Sequence, residues 1–320
     1  MSDELKHYMR AEVAIIIVSY NSEHHIEACL RSVLEQRRAV EQDVIVVDNA
    51  STDRTVAVVR EKFPTVRLFT SPRNVGFAAA NNLAAQQTES DYIFLLNPDT
   101  IVLDHAIDVL VEFARTNPGY GIYGGRTVKL DGKLEPSSCW GLPSLWSLAM
   151  FASGLSSLFP RNRLLDPESL GQWPRDTVRE VGVITGCMLM AHRSAWEKLG
   201  GMDERYFLYG EDTDFSMRAR QNGYRPVICP AARIVHEVGQ SSATPTHKLL
   251  MLYRGKVCFF RTHYSGVFLQ LTLGFLVAGV GLRSLLSRLR TLRTPGPVSN
   301  DWPALWRVRR EWIAGYPEKQ

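Results

Sequence analysis

The sequence has few of the features that mark secreted, disulfide-rich or zinc-binding proteins. Its five cysteines are far apart and form no CxxC pair, which argues against a zinc ribbon and against a disulfide framework. The first ten residues contain four charged residues and no apolar run, so we expect no signal peptide. A cytoplasmic protein with reduced thiols is therefore predicted.

Two nucleotide-binding signatures are also missing. No Gly-x-Gly-x-x-Gly motif follows the first apolar run, Val13–Tyr20, which argues against a dinucleotide-dependent enzyme. The segment Ser19–His25 lacks the Gly-rich, basic loop that a triphosphate needs, which argues against a nucleotidyltransferase. Nucleotidyl transfer therefore stays open only as an alternative function.

Basic residues are scarce outside the C-terminal tail. The net charge is +4, yet residues 283–320 hold eight Lys or Arg residues against three acidic ones, which leaves the rest nearly neutral. A nucleic-acid binder would spread basic residues over a folded face, so we expect no nucleic-acid partner. A basic tail favours attraction to an anionic surface such as a membrane leaflet.

The composition and the apolar runs indicate a globular α/β protein. Hydrophobic residues make up 45% of the 320 residues and charged residues 22%, which excludes wholesale disorder. Apolar runs alternate with segments of helical spacing through about residue 116, and this predicts an open α/β sheet. The expected strands are Val13–Tyr20, Val44–Val47, Val66–Phe69 and Tyr92–Leu96, and the expected helices are 23–36, 76–87 and 103–115.

The later part of the chain is harder to assign. Thr127–Arg179 is rich in Pro, Ser and Trp, and we expect it to be irregular. A strand is expected at Val181–Ala191 and a helix at Gly210–Asn222. In the earlier part, Ser51 or Thr52 is the expected N-cap of the helix that follows the second strand.

Acidic and amide side chains follow the predicted strands directly, at the edge where open α/β sheets bind ligands. Asp48 ends the second strand, where its carboxylate could accept a nucleobase N–H, with helix capping as the alternative. Asn97-Pro-Asp99 follows the fourth strand, with simple turn chemistry as the alternative. Asp99 is a candidate ligand for a hard divalent cation, because such cations bind oxygen. His236 is a candidate second ligand, with a structural histidine as the alternative.

Two further segments carry candidate functional groups. Arg73 and Asn74 lie at a predicted helix start, where a guanidinium and free amides could meet a diphosphate. Glu211 and Asp212 open the predicted helix at Gly210–Asn222, and neighbouring carboxylates raise one another's pKa, which suits a general base. An acidic helix N-terminus without catalytic role is the alternative.

The character of the chain changes after His247. Ser265–Leu282 is an uncharged, mostly apolar stretch of 18 residues, about 27 Å long as a helix and borderline for crossing a bilayer. The leucines that follow it fall on one helical face with arginines interleaved, which is typical of helices at a membrane surface. We favour a monotopic or re-entrant anchor over a true span, with a buried helix pair as the alternative.

Seven short motifs occur in order along the chain. They are Val18-Ser-Tyr-Asn21, Asp48-Asn-Ala-Ser-Thr-Asp53, Arg73-Asn-Val-Gly-Phe-Ala78 with Asn81-Asn82, Leu96-Asn-Pro-Asp-Thr100, Gly186-Cys-Met, Gly200-Gly-Met-Asp-Glu204 and Tyr209-Gly-Glu-Asp-Thr-Asp214. Together they resemble the inverting glycosyltransferases of family 2, over about residues 13–264. The likeness is greatest to the rhamnosyltransferase-like branch that builds bacterial surface polysaccharides.

The resemblance implies roles on the nucleotide side of the site. The residues that match the cradle of the base and ribose are Ser19, Tyr20, Asn21 and Asp48. Arg73 and Asn74 match a nucleotide-side position. Asn97-Pro-Asp99 stands where the family has its Asp-x-Asp motif, so Asn97 would bond the ribose.

The resemblance also implies a metal site and a base. Asp99 and His236 would bind a divalent cation, Mg²⁺ or Mn²⁺. Asp212 would be the catalytic base with Glu211 beside it, and Arg218 would steady the sugar-nucleotide site.

The implied fold is a GT-A type, Rossmann-like, mixed and mostly parallel sheet flanked by helices. The catalytic domain would cover residues 1–245, with a nucleotide half over about 13–117 and an acceptor half over about 118–245. Residues 246–320 would form an apolar and amphipathic helical segment that associates with the membrane.

The implied function is metal-dependent sugar transfer with inversion, onto a hydroxyl of a lipid-linked or polysaccharide acceptor. The favoured donor is dTDP-rhamnose, and the expected location is the cytoplasmic face of the inner or plasma membrane. The alternatives are a non-catalytic sugar-nucleotide-binding protein of the same fold and a nucleotidyltransferase.

Overall fold

A computed structural model of the chain describes residues 11–35, 39–236, 245–293 and 301–317. These residues form two compact units. The first contains the described residues of Met1–Cys139, Pro174–Glu204 and Asp212–Ser241, and the second those of Trp140–Trp173, Arg205–Glu211 and Ser242–Gln320. The predicted division at residue 245 stays a prediction, and the expectation about a signal peptide concerns residues outside the described ones.

The first unit is built on a nine-stranded sheet in which most strands point the same way. The strands in the described part of the chain are β1 (Val13–Ser19), β2 (Gln42–Asp48), β3 (Arg67–Thr70), β4 (Tyr92–Leu96), β5 (Thr100–Val102), β6 (Ile122–Val128), β7 (Cys139–Trp140), β8 (Arg179–Glu180), β9 (Val183–Ile184), β10 (Met188–His192) and β11 (Val227–His236). The sheet order is β3-β2-β1-β4-β10-β6-β11-β5, with β8 beside β11, and β7 and β9 lie outside it.

Strand direction confirms the predicted mixed, mostly parallel sheet. β1 pairs in parallel with β2 and β4, β2 with β3, and β6 with β11. β10 is antiparallel to both β4 and β6, and β5 and β8 are antiparallel to β11. The carboxyl ends of β1, β2, β3 and β4 therefore share one edge of the sheet.

Helices flank the sheet in the first unit, and helices also make up most of the second unit. In the described residues they are α1 (Ile26–Leu34), α2 (Thr55–Lys62), α3 (Phe77–Ala85), α4 (Ala106–Thr116), α5 (Leu145–Ser153), α6 (Leu155–Leu158), α7 (Arg193–Leu199), α8 (Glu211–Gln221), α9 (Pro245–His263), α10 (Gly266–Arg293), α11 (Asp301–Arg307) and α12 (Arg309–Ala314). Short 3₁₀ turns lie at Pro118–Tyr120, Pro136–Ser138 and Pro167–Ser169.

The apolar patterns explain why these elements form. All residues of β1 and β4 are buried, as expected of strands covered on both faces. α1 buries Ile26, Cys29, Leu30 and Val33, which recur at the spacing of one helical face and pack into the core beneath the sheet.

Three local predictions are wrong. The strand predicted at Val181–Ala191 is two strands, β9 and β10, because Thr185–Cys187 turns, with the Met188 amide donating to the Thr185 carbonyl at 3.3 Å. α2 begins at Thr55, so Ser51 and Thr52 do not cap it. The segment predicted to be irregular contains helices α5 and α6, and α5 is capped by Ser144, which lies outside any periodic pattern.

The second unit contains the apolar C-terminal helix. α5 packs on α10 where Phe151 meets Gly279, and a Cβ at Gly279 would lie 2.2 Å from that ring. Within α10, Gly266–Thr291 is long and apolar enough to cross a membrane by length and composition. Only 28% of its most apolar 18-residue stretch is buried within the protein.

Candidate active site

The ends of β1 and β2 bring the predicted nucleotide-side residues together. Ser19 and Asp48 are register partners, both are buried, and the Ser19 hydroxyl lies 3.4 Å from Asp48 Oδ1, to which it donates. Asp48 Oδ2 accepts the Ser51 amide at 3.0 Å. The Asp48 carboxylate is therefore fixed at the carboxyl edge of the sheet, while the neighbouring Tyr20 side chain is exposed.

Asn21, which follows β1, contacts the loop after β2 and has an unusual backbone conformation. Its φ of 49° is in the left-handed region, which Asn tolerates better than most residues. Its Oδ1 accepts the Thr52 amide at 2.8 Å, and its own amide donates to Ser51 Oγ at 2.9 Å. The loops after β1 and β2 are thus tied to each other, which explains why Ser51 and Thr52 are not available to cap α2.

Arg73 and Asn74 lie in the turn after β3, at the same edge. The Ser71 amide donates to the Asp48 carbonyl at 2.8 Å, which sets this turn beside the β2 loop. Asn74 Oδ1 accepts the Gly76 amide at 3.0 Å, and the Arg73 side chain is exposed. Arg73 is therefore available to a ligand, whereas Asn74 supports the turn.

Asn49 is a site residue that sequence reasoning missed. Its side-chain amide donates to the Gly76 carbonyl at 3.2 Å, and its Oδ1 accepts the Val75 amide at 2.8 Å. This buried side chain locks the β2 loop to the turn that carries Arg73. The available signal was its place directly after Asp48, which by itself does not reveal a partner 27 residues away.

The structure places Asp99 and His236 in contact. Asp99 ends the turn that Asn97 begins after β4, and Thr100 at the start of β5 is the register partner of His236 at the end of β11. His236 Nε2 lies 3.4 Å from Asp99 Oδ1, and both side chains are buried. An antiparallel pairing that no local pattern predicts therefore joins the two.

Neighbouring polar groups orient the His236 ring. Its Nδ1 lies 3.0 Å from Ser137 Oγ, and Glu135 Oε2 lies 4.0 Å from the same nitrogen. Burial alone would lower the pKa of the imidazole, but its interactions with Asp99 and Cys187 outweigh burial and raise that pKa to about 10. Because Ser137 and Glu135 lie beside Nδ1, Nε2 is the ring nitrogen that faces Asp99.

The Asp99–His236 pair fits a divalent cation that takes its remaining ligands from elsewhere. Asp99 Oδ1 is buried and faces His236 Nε2 at 3.4 Å, so a carboxylate oxygen and a ring nitrogen that can both bind a cation are held side by side. Ser137 beside Nδ1 supplies the outer support typical of metal-binding histidines. No group of three or more His, Cys, Asp or Glu ligands occurs in the described residues. A cation here would need phosphate or water oxygens, as Mg²⁺ and Mn²⁺ sites commonly use.

Asp212 lies in the first turn of α8 and is half-buried. Its Oδ1 accepts the Thr213 amide at 2.7 Å and the Thr213 hydroxyl at 3.2 Å. Burial raises the pKa of the Asp212 carboxyl, and the hydrogen bonds from Thr213 and the Gly186 amide oppose that rise. The Glu211 side chain, one residue earlier, is buried.

The turn at Thr185–Cys187 connects Asp212 with the Asp99–His236 pair. The Gly186 amide interacts with the Asp212 carboxylate, the Cys187 carbonyl accepts the Asn97 amide at 3.3 Å, and the Cys187 thiol interacts with His236. A Cβ at Gly186 would lie 2.8 Å from the Phe77 ring, so a larger residue there would have to displace that ring or the turn. Gly186 and Cys187 carried a motif of the resemblance but no predicted role, because a turn inside an apolar run gives no periodic signal.

Arg218 is fully engaged with the protein. Its Nε donates to the buried Asp214 carboxylate at 2.7 Å, and its two terminal nitrogens donate to the carbonyls of Leu199 and Gly201 at 2.6 and 3.0 Å. In the structure, Arg218 holds α8 to the turn after α7. Its role toward a sugar nucleotide stays a prediction.

Three sets of functional groups therefore lie at this edge of the sheet. The β1 and β2 loops offer hydrogen bonds at Asp48, the Asp99–His236 pair offers an oxygen and a ring nitrogen, and Asp212 offers a carboxylate of raised pKa. Such a set suits a ligand with a heterocyclic end, an anionic middle and a reacting centre beside a base.

Two family models match the sequence. The model described as Glycosyl transferase family 2 matches residues 14–166, and that described as Glycosyl transferase family group 2 matches residues 173–316. Between them, the two matches include the strand-end residues, the Thr185–Cys187 turn and α8.

One sequence relative is similar to this chain over most of its length. The N-acetylglucosaminyl-diphospho-decaprenol L-rhamnosyltransferase of Mycobacterium tuberculosis, from strains CDC 1551 / Oshkosh and ATCC 25618 / H37Rv, is 31% identical over 273 residues. The alignment covers 79% of this chain and 85% of that protein.

Solved structures are similar at the level of the fold. The mannosyltransferase PcManGT from Pyrobaculum calidifontis, in complex with GDP-Man and Mn²⁺, has a TM-score of 0.57 and 19% identity, covering 96% of this chain and 86% of that one. S. aureus TarS 1–349 in complex with UDP-GlcNAc has a TM-score of 0.52 and 16% identity, covering 96% and 82%. The predicted GT-A type architecture is thereby confirmed.

Proposed function

The chain belongs to glycosyltransferase family 2 and is a glycosyltransferase, and we propose on this basis that it transfers rhamnose from dTDP-rhamnose, with inversion. The proposed acceptor is a hydroxyl of a lipid-linked glycan or polysaccharide in cell-surface synthesis. The observation that carries the proposal is the 31% identity over 79% of the chain to an L-rhamnosyltransferase whose name includes a diphospho-decaprenol acceptor.

The nucleotide end of the donor would bind where β1 and β2 end. Asp48 would accept the N3–H of thymine, and the loops held together by Asn21 would enclose the base and ribose, with Ser19, Tyr20 and Asn97 in contact with them. Arg73, exposed at the same edge, would meet the diphosphate. The fixed Asp48 carboxylate supports this assignment, because a rigid acceptor discriminates better than a mobile one.

Asp99 and His236 would hold a divalent cation, Mg²⁺ or Mn²⁺. The chemistry supplied by such a cation is neutralisation of the charge that develops on the leaving nucleoside diphosphate. The buried Asp99 oxygen beside the oriented His236 ring supports the proposal, as does the Mn²⁺ in the structure of the similar mannosyltransferase.

Asp212 would act as the general base. Its carboxylate would accept the proton of the acceptor hydroxyl while that oxygen attacks the anomeric carbon from the face opposite the leaving group. One displacement inverts the sugar centre, so no second carboxylate is needed as a nucleophile. The raised pKa of Asp212 supports this role, because a base works best when its pKa approaches the working pH. Glu211, buried beside it, would support the position of Asp212.

A panel of sugar nucleotides tests the proposal, with release of nucleoside diphosphate measured in the presence of Mg²⁺ or Mn²⁺ and a polyprenyl-diphosphate-sugar acceptor. We expect the fastest release from dTDP-rhamnose. Faster turnover of another donor would overturn the assignment of the sugar. Tight donor binding without release would favour a non-catalytic protein, and pyrophosphate release from a nucleoside triphosphate would favour a nucleotidyltransferase.

The proposed location is the cytoplasmic face of the inner or plasma membrane, with peripheral or monotopic attachment. Support comes from the apolar helix α10, from the basic C-terminal tail and from the lipid-linked acceptor in the name of the similar protein.

A further inference from the structure

The inner face of helix α10 carries several hydroxyl groups. The residues of α10 that the second unit buries include Thr272, Ser284 and Ser287, with 0%, 3% and 9% of their surface exposed. A helix of a soluble protein normally buries its apolar face and exposes its polar one. α10 departs from this order, because the three hydroxyl residues are buried beside Leu276 and Val280 while large apolar side chains are exposed. Its exposed polar residues are Gln270, Arg288, Arg290 and Thr291.

The outer face of α10 carries large apolar side chains. Val267 is 65% exposed, and Phe268, Leu271, Leu285 and Leu289 are also exposed. Val267, Leu271, Leu285 and Leu289 lie at multiples of about one helical turn and so line one side of the helix. A row of this length on one surface is larger than the scattered exposed leucines that are common on monomers.

A second apolar element lies beside this row. Leu158 and Leu164 are each 71% exposed, and Phe159 between them is half exposed. Arg283 of α10 ties this element to the helix, because its guanidinium donates to the Phe151 carbonyl at 2.7 Å and to Ser157 Oγ at 2.8 Å. Gly154, just before α6, lies against Leu282, since a Cβ at Gly154 would be 3.3 Å from Leu282 Cδ2. Residues 158–164 therefore follow a segment that packs on α10 within one turn of Leu285.

The charges within these two apolar segments are all positive, and Asp166, which follows the first segment, is half-buried and accepts the Arg161 amide at 2.8 Å. Residues 154–165 and 266–293 contain no Asp or Glu. Arg161 and Arg163 flank the exposed apolar residues of the first segment, and Arg288 and Arg290 flank those of the second, all four being exposed. A mainly basic, apolar surface is complementary to anionic lipid headgroups over an acyl interior.

We propose that the outer face of α10 and residues 158–164 together form one surface that binds an anionic lipid bilayer, with α10 lying in the membrane plane. This surface, called the lipid-facing surface below, specifies the membrane attachment proposed above and does not depend on which sugar is transferred. α10 does not cross the bilayer, because Gly279 and Arg283 in its middle are packed and hydrogen-bonded to α5. A crossing helix would have to carry α5 and the Arg283 charge into the hydrocarbon.

Flotation of the purified full-length protein with vesicles tests the surface. The vesicles contain phosphatidylcholine alone or a mixture with phosphatidylglycerol. We expect binding to the anionic vesicles only, weakened about tenfold or more by Leu285→Glu with Leu289→Glu, and also by Leu158→Glu with Phe159→Glu. Leu130→Glu is the matched control, since Leu130 is 70% exposed in the first unit, and it should bind as wild type does.

The two double variants separate the parts of the proposal. All the changed side chains are exposed, so the variants should unfold at the same temperature as wild type. Wild-type flotation of the Leu158 and Phe159 variant would overturn the inclusion of residues 158–164. A wild-type dimer in gel filtration that both variants convert to monomer, without loss of flotation, would show that a second copy of the chain covers the surface instead.

The in-plane placement has its own test. Ser265→Cys and Thr291→Cys each put a thiol at an exposed end of α10, and each variant is added to preformed anionic vesicles. We expect a membrane-impermeant maleimide outside the vesicles to label both, above the background set by the native cysteines of wild type. Protection of one end until detergent is added would mean that α10 crosses the membrane.

Discussion

The hydroxyl of Tyr316 faces the carbonyl oxygen of Leu208, four residues before Asp212 in the chain. The Met251 carbonyl lies 3.0 Å from the same hydroxyl, and the rings of Tyr316 and Tyr206 are 6.5 Å apart. Burial raises the pKa of Tyr316, and the negative charge of Glu211 raises it further. The C-terminal segment is therefore packed against the loop that leads into α8.

Helix α9 supports the same loop at a second point. A Cβ at Gly255 would lie 2.1 Å from the Tyr209 carbonyl oxygen, so the loop approaches the helix more closely than any residue but glycine allows. The C-terminal segment and helix α9 therefore contact the backbone three and four residues before Asp212 in the chain.

Tyr316→Phe should lower kcat more than it raises KM for the donor. The change removes the single O–H that donates to the Leu208 or Met251 carbonyl, which costs about 1–3 kcal/mol of stability. Steady-state kinetics well below the unfolding temperature, together with thermal unfolding, check this. Tyr264→Phe is the control, because among the described residues the Tyr264 hydroxyl makes one long hydrogen bond, to the Pro143 carbonyl at 3.5 Å. If Tyr316→Phe loses stability but keeps kcat, Tyr316 has a structural role alone.

Asp212→Asn should lower kcat by about 100-fold to 10,000-fold, since the amide cannot accept the acceptor proton. The side chain keeps its shape and can still accept the Thr213 amide, so donor binding should change little. Single-turnover kinetics and calorimetric titration with the sugar nucleotide measure the two effects. Turnover close to that of wild type would remove Asp212 as the base.

The rate should fall as the pH falls through the raised pKa of Asp212. The base works as the carboxylate, and burial favours its neutral form, so protonation begins at a higher pH than for an ordinary aspartate. A profile of kcat/KM against pH should show this acidic limb, and the residual rate of Asp212→Asn should lack it. An acidic limb that survives unchanged in Asp212→Asn would belong to another group.

Asp99→Asn and His236→Ala should each weaken binding of Mn²⁺ in the presence of the nucleoside diphosphate by about 10-fold to 100-fold. Each change removes one of the two protein ligands that the pair can offer. Electron paramagnetic resonance of free Mn²⁺ gives the affinity without reference to turnover. His24→Ala, at an exposed histidine, is the control. Unchanged Mn²⁺ affinity in both site variants would place the cation elsewhere.

Gly186→Ala should reduce both stability and turnover, because the added methyl group would overlap the Phe77 ring unless the turn shifts. Overpacking of this kind costs about 1–3 kcal/mol. Urea unfolding and initial rates report the two effects. Gly274→Ala adds the same group in open space on α10 and should be tolerated. Normal turnover of Gly186→Ala would show that the turn does not position Asp212.

The sheet could be predicted because its strands are short, apolar and β-branched. The run from Val13 and the run Tyr92–Leu96 are buried on both faces, so hydrophobicity alone locates them. The turn at Thr185–Cys187 could not be found in this way, because its flanks are as apolar as a strand. The helices α5 and α6 were missed because a Pro- and Ser-rich composition hides a short capped helix.

The amino-acid sequence by itself determined which residues stand at strand ends, that the first helices have one apolar face, and that α10 is apolar enough for a membrane. The tertiary structure decided which of those residues meet. Asp99 and His236 come together through the antiparallel pairing of β5 with β11, and Asn49 reaches Gly76 across a loop. The physical reason is range: hydrophobic periodicity acts over a few neighbouring residues, whereas a site is set by strand order and register between segments far apart in the chain.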